Sequence, residues 1–308
     1  FIYKNNGKIM QWRGRRQSDN IEDRRGGRKA GGIGIGSIVI ALILWKVFGI
    51  DPQTTLGVAQ QMQSTQTTTQ TAPKQQTPDQ QEAKAFVATI LADTEDVWTP
   101  IFNRLGRTYQ PPKLVMFTGQ VNSACGSASS ASGPFYCPAD QKVYLDTNFF
   151  VDMKEQMGIG GDQNNSSELS RKDQAGDFAQ AYVVAHEVGH HVQTLLGISS
   201  KVREAQAQTS KKNANQLSVR LELQADCFAG IWANHNQKRT QFLQKGDIEE
   251  ALDAAEKIGD DYLQHQAHGH TVPDSFTHGT SQQRQRWFYR GFESGDISQC
   301  DTFGAAQL

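Results

Sequence analysis

AYVVAHEVGHHVQTLL, residues Ala181 to Leu196, places His186, Glu187 and His190 in an H-E-x-x-H arrangement. Phe178, Tyr182, Val183, Val184, Val188, Val192, Leu195 and Leu196 surround these groups at helical spacing, and Gly197 suits a helix end. A helix that is apolar around most of its circumference belongs in a core, where ionisable groups need a partner. Imidazoles four residues apart lie on one helix face, so His186 and His190 can reach a single metal ion, and Glu187 then stands beside it. A zinc ion in that position lowers the pKa of a bound water to about 7, within reach of Glu187 as general base. The motif therefore points to hydrolysis by one Zn2+ ion.

Catalytic zinc sites use three protein ligands and leave a position for water. The pattern H-E-x-x-H-x-x-G-x-x-H would need Gly at 193 and His at 196; the chain has Gln193 and Leu196. His191 follows His190 directly and points about 100° away around the helix, which makes it a poor ligand. Glu222 is the better third ligand. It lies in LSVRLELQADCFAGIW, Leu217 to Trp232, where Leu217, Leu221, Ala225, Phe228 and Trp232 form an apolar stripe. Asp226 is four residues on, so one carboxylate can bind the metal while the other accepts the second ring N–H of a ligating histidine.

The 308 residues carry a net charge of −1, which argues against a nucleic-acid partner. Residues 1–29 hold nine Lys or Arg against three Asp or Glu, a surplus of +6 that leaves −7 for the remainder. Residues 30–50, AGGIGIGSIVIALILWKVFGI, are long and apolar enough for a transmembrane helix, with Lys46 beside Trp45 at the far interface. The positive-inside rule then puts residues 1–29 in the cytoplasm, and the protein reads as a single-pass membrane protein with its catalytic domain periplasmic or extracellular. Residues 51–81, rich in Gln and Thr, read as a disordered linker, and residues 82–308 as the domain.

Within that domain, 82–105 has helical periodicity, KLVMF (113–117) and KVYLD (142–146) read as strands, and 247–266 as one further helix. Gly158 to Gly176 is a polar loop whose Asp and Asn residues do not match a calcium-binding pattern. His265, His268 and His270 alternate in a polar turn and read as solvated. Four cysteines allow three pairings. Cys125 and Cys137 flank a small-residue loop that a disulfide can staple, which leaves Cys227 with Cys300.

HEVGHHVQ, ELQADCFAG and DSFTHGTSQQRQRWFYRGFESGD together resemble the bacterial neutral zinc metallopeptidases that carry an N-terminal membrane anchor. More distantly the chain is similar to the gluzincin peptidases. The resemblance implies an α+β, mostly helical zincin-like domain with a small sheet. It also implies zinc ligands at His186, His190 and Glu222, Glu187 as catalytic base and Asp226 behind the ligands. Openings like Met10–Arg16 are usual in this family, so residues 1–9 read as non-native. Thr277 to Arg284 resembles a T-H-P-S-x-x-x-R block of gluzincins, with Gly279 and Thr280 in place of Pro and Ser. His278 is a candidate hydrogen-bond donor to the developing oxyanion, against a capping role, and Arg284 a candidate to orient a carboxylate. By the same analogy the strand at 142–146 would border the cleft and pair with substrate.

The expectation is a membrane-tethered zinc endopeptidase acting on polypeptide. The alternatives are a catalytically silent, metal-stabilised interaction module and a zinc amidase acting on cell-wall peptides. The sequence does not speak to oligomeric state.

Overall fold

The computed structural model describes residues 10–25, 77–129, 133–150, 176–268 and 270–308. Residues 10–25 and everything described from Pro78 onward form one compact unit. Helices dominate, and a small sheet covers one side of the core, as the α+β reading expects. The elements run β1 (Ile21–Asp23), α1 (Pro78–Arg104), β2 (Lys113–Phe117), β3 (Gln120–Ser123), β4 (Gly126–Ser129), β5 (Phe135–Cys137) and β6 (Lys142–Asp146). They continue with α2 (Asp177–Leu195), α3 (Ile198–Ala207), α4 (Lys211–Thr240), α5 (Asp247–Lys257), α6 (Asp260–His268) and α7 (Ser281–Ser294).

The main sheet has the order β1-β2-β6-β5, with β5 antiparallel to β6 and the other pairs parallel. Leu114, Met116, Val143 and Leu145 pack from it onto the helical core, while β3 and β4 form a separate hairpin. KVYLD is indeed a strand, but it is interior. The edge position belongs to β5, in the segment that reads as a loop from sequence, because a three-residue strand gives almost no periodic signal.

Phe178 of α2, Trp232 of α4, Phe242 and Phe288 of α7 form the centre of the helical layer, all fully buried. Helices α4 and α7 meet backbone to backbone. A Cβ built on Gly291 would lie 1.9 Å from the Cys227 carbonyl oxygen, and one on Gly230 2.0 Å from that of Phe288. The Cys227–Cys300 disulfide ties the same two regions, and Cys125–Cys137 closes the β4–β5 segment, so both pairings are as read from the sequence.

Three expectations are corrected. The single helix at 247–266 is broken at Gly259, where a Cβ would come within 2.6 Å of Ser281 N at the start of α7. The break also frees the Asp260 carboxylate to accept from the backbone N–H groups of Thr277, His278 and Gly279.

The transmembrane part of the expected fold finds no counterpart: among the described residues no helix is long and apolar enough to cross a membrane. Residues 1–9, 30–50, most of the expected linker and the polar loop at 158–175 lie outside the described residues. The expected linker also ends early, since α1 begins at Pro78.

The localisation is corrected on geometry. Residues 10–25, read as a cytoplasmic leader, are built into the unit that carries the H-E-x-x-H helix. β1 pairs with β2 in the register Ile21↔Leu114, and Met10 and Trp12 are buried in the shared core. A single crossing between residues 25 and 78 would place these two halves of one sheet on opposite sides of a membrane. The basic surplus has another use. Arg13 pairs with Glu82, Arg15 with Asp93, and Arg16 with Glu95 and Asp96, so the leader's cations neutralise acidic residues of α1.

Two outcomes follow for stability. Gly291→Ala should cost about 3 kcal/mol or more, read as a fall in the denaturant midpoint, because backbone rather than a pliable side chain blocks the added methyl. Asp247 is buried, and burial raises its carboxyl to about 7, with Asp177 and Glu249 adding to the shift against the Gln244 N–H bond. A raised folded pKa contributes stability that is complete below the unfolded value near 4 and is lost as pH rises through 7. Asp247→Asn should therefore match the parent at pH 4 and exceed it by about 2 to 4 kcal/mol at pH 8 in paired unfolding titrations.

Candidate metal centre

Helix α2 runs through the core, so His186 and Glu187 are buried and His190 is partly so at its cleft end. Gly189, inside the motif, lets α4 come close: a Cβ there would lie 3.0 Å from the Ala225 carbonyl oxygen. That approach brings Glu222 to the two imidazoles. His186 Nε2 is 3.2 Å from Glu222 Oε2, and His190 Nε2 is 3.4 Å from Glu222 Oε1. Tetrahedral zinc with bonds of about 2 Å holds its ligand atoms roughly 3.3 Å apart, so the three residues fit that ion in both chemistry and separation. Among the described residues they form the one such group of three.

Asp226 is fully buried directly behind His186. Its Oδ1 lies 2.7 Å from His186 Nδ1 and accepts from Tyr182 OH at 2.6 Å and Arg284 Nη2 at 2.9 Å; Oδ2 accepts from Arg284 Nε at 2.9 Å. Burial opposes ionisation of this carboxyl, but the Arg284 guanidinium and His186 outweigh it and hold the group down at about 2. As a permanent acceptor, Asp226 holds a proton of His186 on Nδ1 and turns Nε2 toward Glu222. Burial likewise disfavours the imidazolium, yet Asp226 and Glu222 together raise His186 to about 10 in the metal-free protein. A metal ion at Nε2 would replace that proton. The Glu187 carboxyl is pushed up by burial, against the pull of His186 and His190.

Of the remaining sequence candidates, His278 lines the same cleft, with Nδ1 3.2 Å from Asp260 Oδ1. The Asp260 hydrogen bond raises its pKa against burial. The cleft has a volume of about 610 Å3. Besides the metal-centre residues it is walled by Phe135 and Tyr136 of β5, Val202 of α3 and Leu263 of α6.

Three residues were missed from sequence. Tyr182, which reads there only as an apolar position, completes the shell of Asp226. Gln193, noted only for breaking another motif, is fully buried and braces the second histidine. Its Oε1 is 2.9 Å from His190 Nδ1, while its Nε2 donates to the Leu221 carbonyl at 2.6 Å and to Gln224 Oε1 at 3.2 Å. The reversed amide would set two carbonyl oxygens against each other, so Oε1 must face His190, which then carries its proton on Nδ1 and offers Nε2. Gln224 passes the chain on to the Cys300 carbonyl at 2.9 Å. A buried amide three residues after the last histidine was the available signal. His191 is a satisfied core residue, between the Gln110 carbonyl at 2.6 Å and Tyr136 OH at 3.1 Å, and burial lowers it to about 4.

Gln193→Leu, which keeps the volume but frees the His190 tautomer, should weaken zinc binding about 10- to 100-fold in a chelator competition while leaving the helical content unchanged.

Comparison with known proteins adds the family. The profile of a family described as "Putative neutral zinc metallopeptidase" matches residues 10–303. The chain is 49% identical over 306 residues to the uncharacterized protein YpfJ of Escherichia coli strain K12, covering 96% of this chain and 99% of that one. It is 42% identical over 236 residues to the uncharacterized proteins Mb2605 of Mycobacterium bovis and Rv2575 of Mycobacterium tuberculosis, covering 74% of each partner in both alignments. No solved structure matches it. The profile begins at Met10 and takes in the strand that precedes the helices, the three candidate ligands and the C-terminal disulfide, so the chain belongs to the neutral zinc metallopeptidase family.

Proposed function

We propose that the protein is a zinc-dependent endopeptidase that hydrolyses peptide bonds in polypeptide substrates. One observation carries the reading: two imidazoles and a carboxylate at zinc-ligand separation open, together with Glu187, onto a cleft bordered by a strand edge. His186, His190 and Glu222 would hold one ion, which when bound supplies the Lewis acidity that lowers the pKa of a water to about 7 and polarises a carbonyl.

The chain's own groups do the rest. Glu187 takes the proton from the attacking water and returns it to the departing amine, the role suited to a carboxylate fixed beside the metal ligands on a rigid helix. Asp226 keeps His186 in the tautomer that can bind metal, and Arg284 keeps Asp226 ionised and aimed. His278, which lines the cleft and is tied through Nδ1 to Asp260, keeps its other ring nitrogen to donate to the oxygen that gains charge. An extended substrate lies along β5, which pairs with β6 on one side and, among the described residues, with no strand on the other.

Zinc content and casein hydrolysis of the full chain beside Glu187→Gln test the reading. The variant should keep one zinc per chain and lose 10²- to 10⁴-fold in hydrolysis. A variant that cleaves as fast as the parent would remove Glu187 from the mechanism, and a zinc-loaded parent that cleaves nothing would remove the peptidase.

A further inference from the structure

Helix α3 forms part of the cleft wall, where its residues Ser199, Val202, Arg203 and Gln206 line the cavity. Their spacing of i, i+3, i+4 and i+7 makes one helical face, so α3 presents a continuous stripe to whatever fills the cleft. Most of that stripe is already committed. Val202 is buried, Ser199 Oγ accepts from Thr194, and the Gln206 amide donates to the Ala214 carbonyl and Ser218. Arg203 is exposed and has no hydrogen bond or ion pair among the described residues.

That freedom is unusual in this protein and in this cleft. Apart from Arg104 at the end of α1, the other described arginines each hold a carboxylate, a carbonyl, an amide or an aromatic ring, Arg107, Arg220 and Arg286 by way of carbonyls alone. The other charged groups lining the cleft are likewise spoken for: Arg284 by Asp226, Glu222 by the two histidines, His278 by Asp260. The remaining one, Glu187, belongs to the metal centre. The walls between are apolar, with Pro134, Phe135, Val183 and Leu221, so they offer no other partner to a charged group on a ligand.

We propose that Arg203 is a specificity-determining residue, a subsite that accepts a carboxylate on the peptide segment lying against α3 and rejects a basic side chain there. Its planar fork can bind a carboxylate through two parallel hydrogen bonds. A free cation also discriminates by repulsion: a Lys or Arg on the substrate meets like charge at the lip of the cleft. The inference rests on the peptidase reading for its catalytic readout and for a peptide as the ligand.

The test uses the full chain loaded with zinc, as parent, Arg203→Ala and Arg203→Glu. Quenched fluorescent peptides carry Glu, Gln or Lys at each position around the scissile bond in turn. At one position the Glu peptide should exceed the Lys peptide about tenfold in kcat/KM. The ratio should fall toward one in Arg203→Ala and invert in Arg203→Glu, with the Gln peptide changing less than either charged peptide. Free-acid and C-terminally amidated versions separate the two sources of carboxylate: a preference that survives amidation belongs to a side chain, one that vanishes to the chain terminus. Unchanged preferences in Arg203→Glu, or none in the parent, overturn the proposal. If the parent cleaves no peptide, the peptidase reading fails separately, and binding of the labelled peptides by fluorescence anisotropy decides. Acidic-over-basic binding that inverts in Arg203→Glu sustains the subsite, and indifference overturns it.

Discussion

The Asp226 carboxylate is the point on which three helices converge. It is fully buried on α4, yet it is ionised because Arg284 reaches it from α7 with two N–H groups, and Tyr182 and His186 reach it from α2. Buried charges are costly unless paired, and removing one member of such a set costs about 3 to 5 kcal/mol by stranding the other. The network therefore fixes how α2, α4 and α7 are rotated about their axes. The rotation of α4 sets where Glu222 points, one helical turn before Asp226, so the same salt bridge that organises the core also brings Glu222 to the two histidines.

Glycine makes the convergence possible. Gly189 admits α4 to α2, and Gly230 with Gly291 admits α7 to α4. Backbones this close leave little room for the elements to slide. The Cys227–Cys300 disulfide and the hydrogen-bond chain from His190 through Gln193 and Gln224 to the Cys300 carbonyl brace the opposite side of the centre. Each histidine thus has its own backing, a charged one for His186 and an amide one for His190.

What was legible in the sequence follows the range over which each signal acts. His186, Glu187 and His190 share one helix, and Glu222 and Asp226 another, so spacing alone put them on common faces. The amide at Gln193 was visible among apolar neighbours, but its role was not, because that depends on the Leu221 carbonyl, 28 residues away on another helix. α3 was passed over because it buries only Val202 and so lacks an apolar stripe. β5 is too short for a period to register, and the break at Gly259 depends on the approach of α7. The largest miscue came from treating the arginines of residues 13–16 as a topological signal. Charge composition cannot tell a membrane-facing leader from a segment whose cations pair with Glu82, Asp93 and Glu95 much further along the chain.

The return of that early segment to the sheet has a further consequence. The chain leaves the folded unit after Arg25 and re-enters at Pro78, and the Arg25 guanidinium donates to the Gln80 carbonyl at 2.9 Å, so the exit and the entrance are adjacent. The two ends of that stretch are thus held together from within the domain, by β1 pairing with β2 on one side and by α1 packing into the helical core on the other.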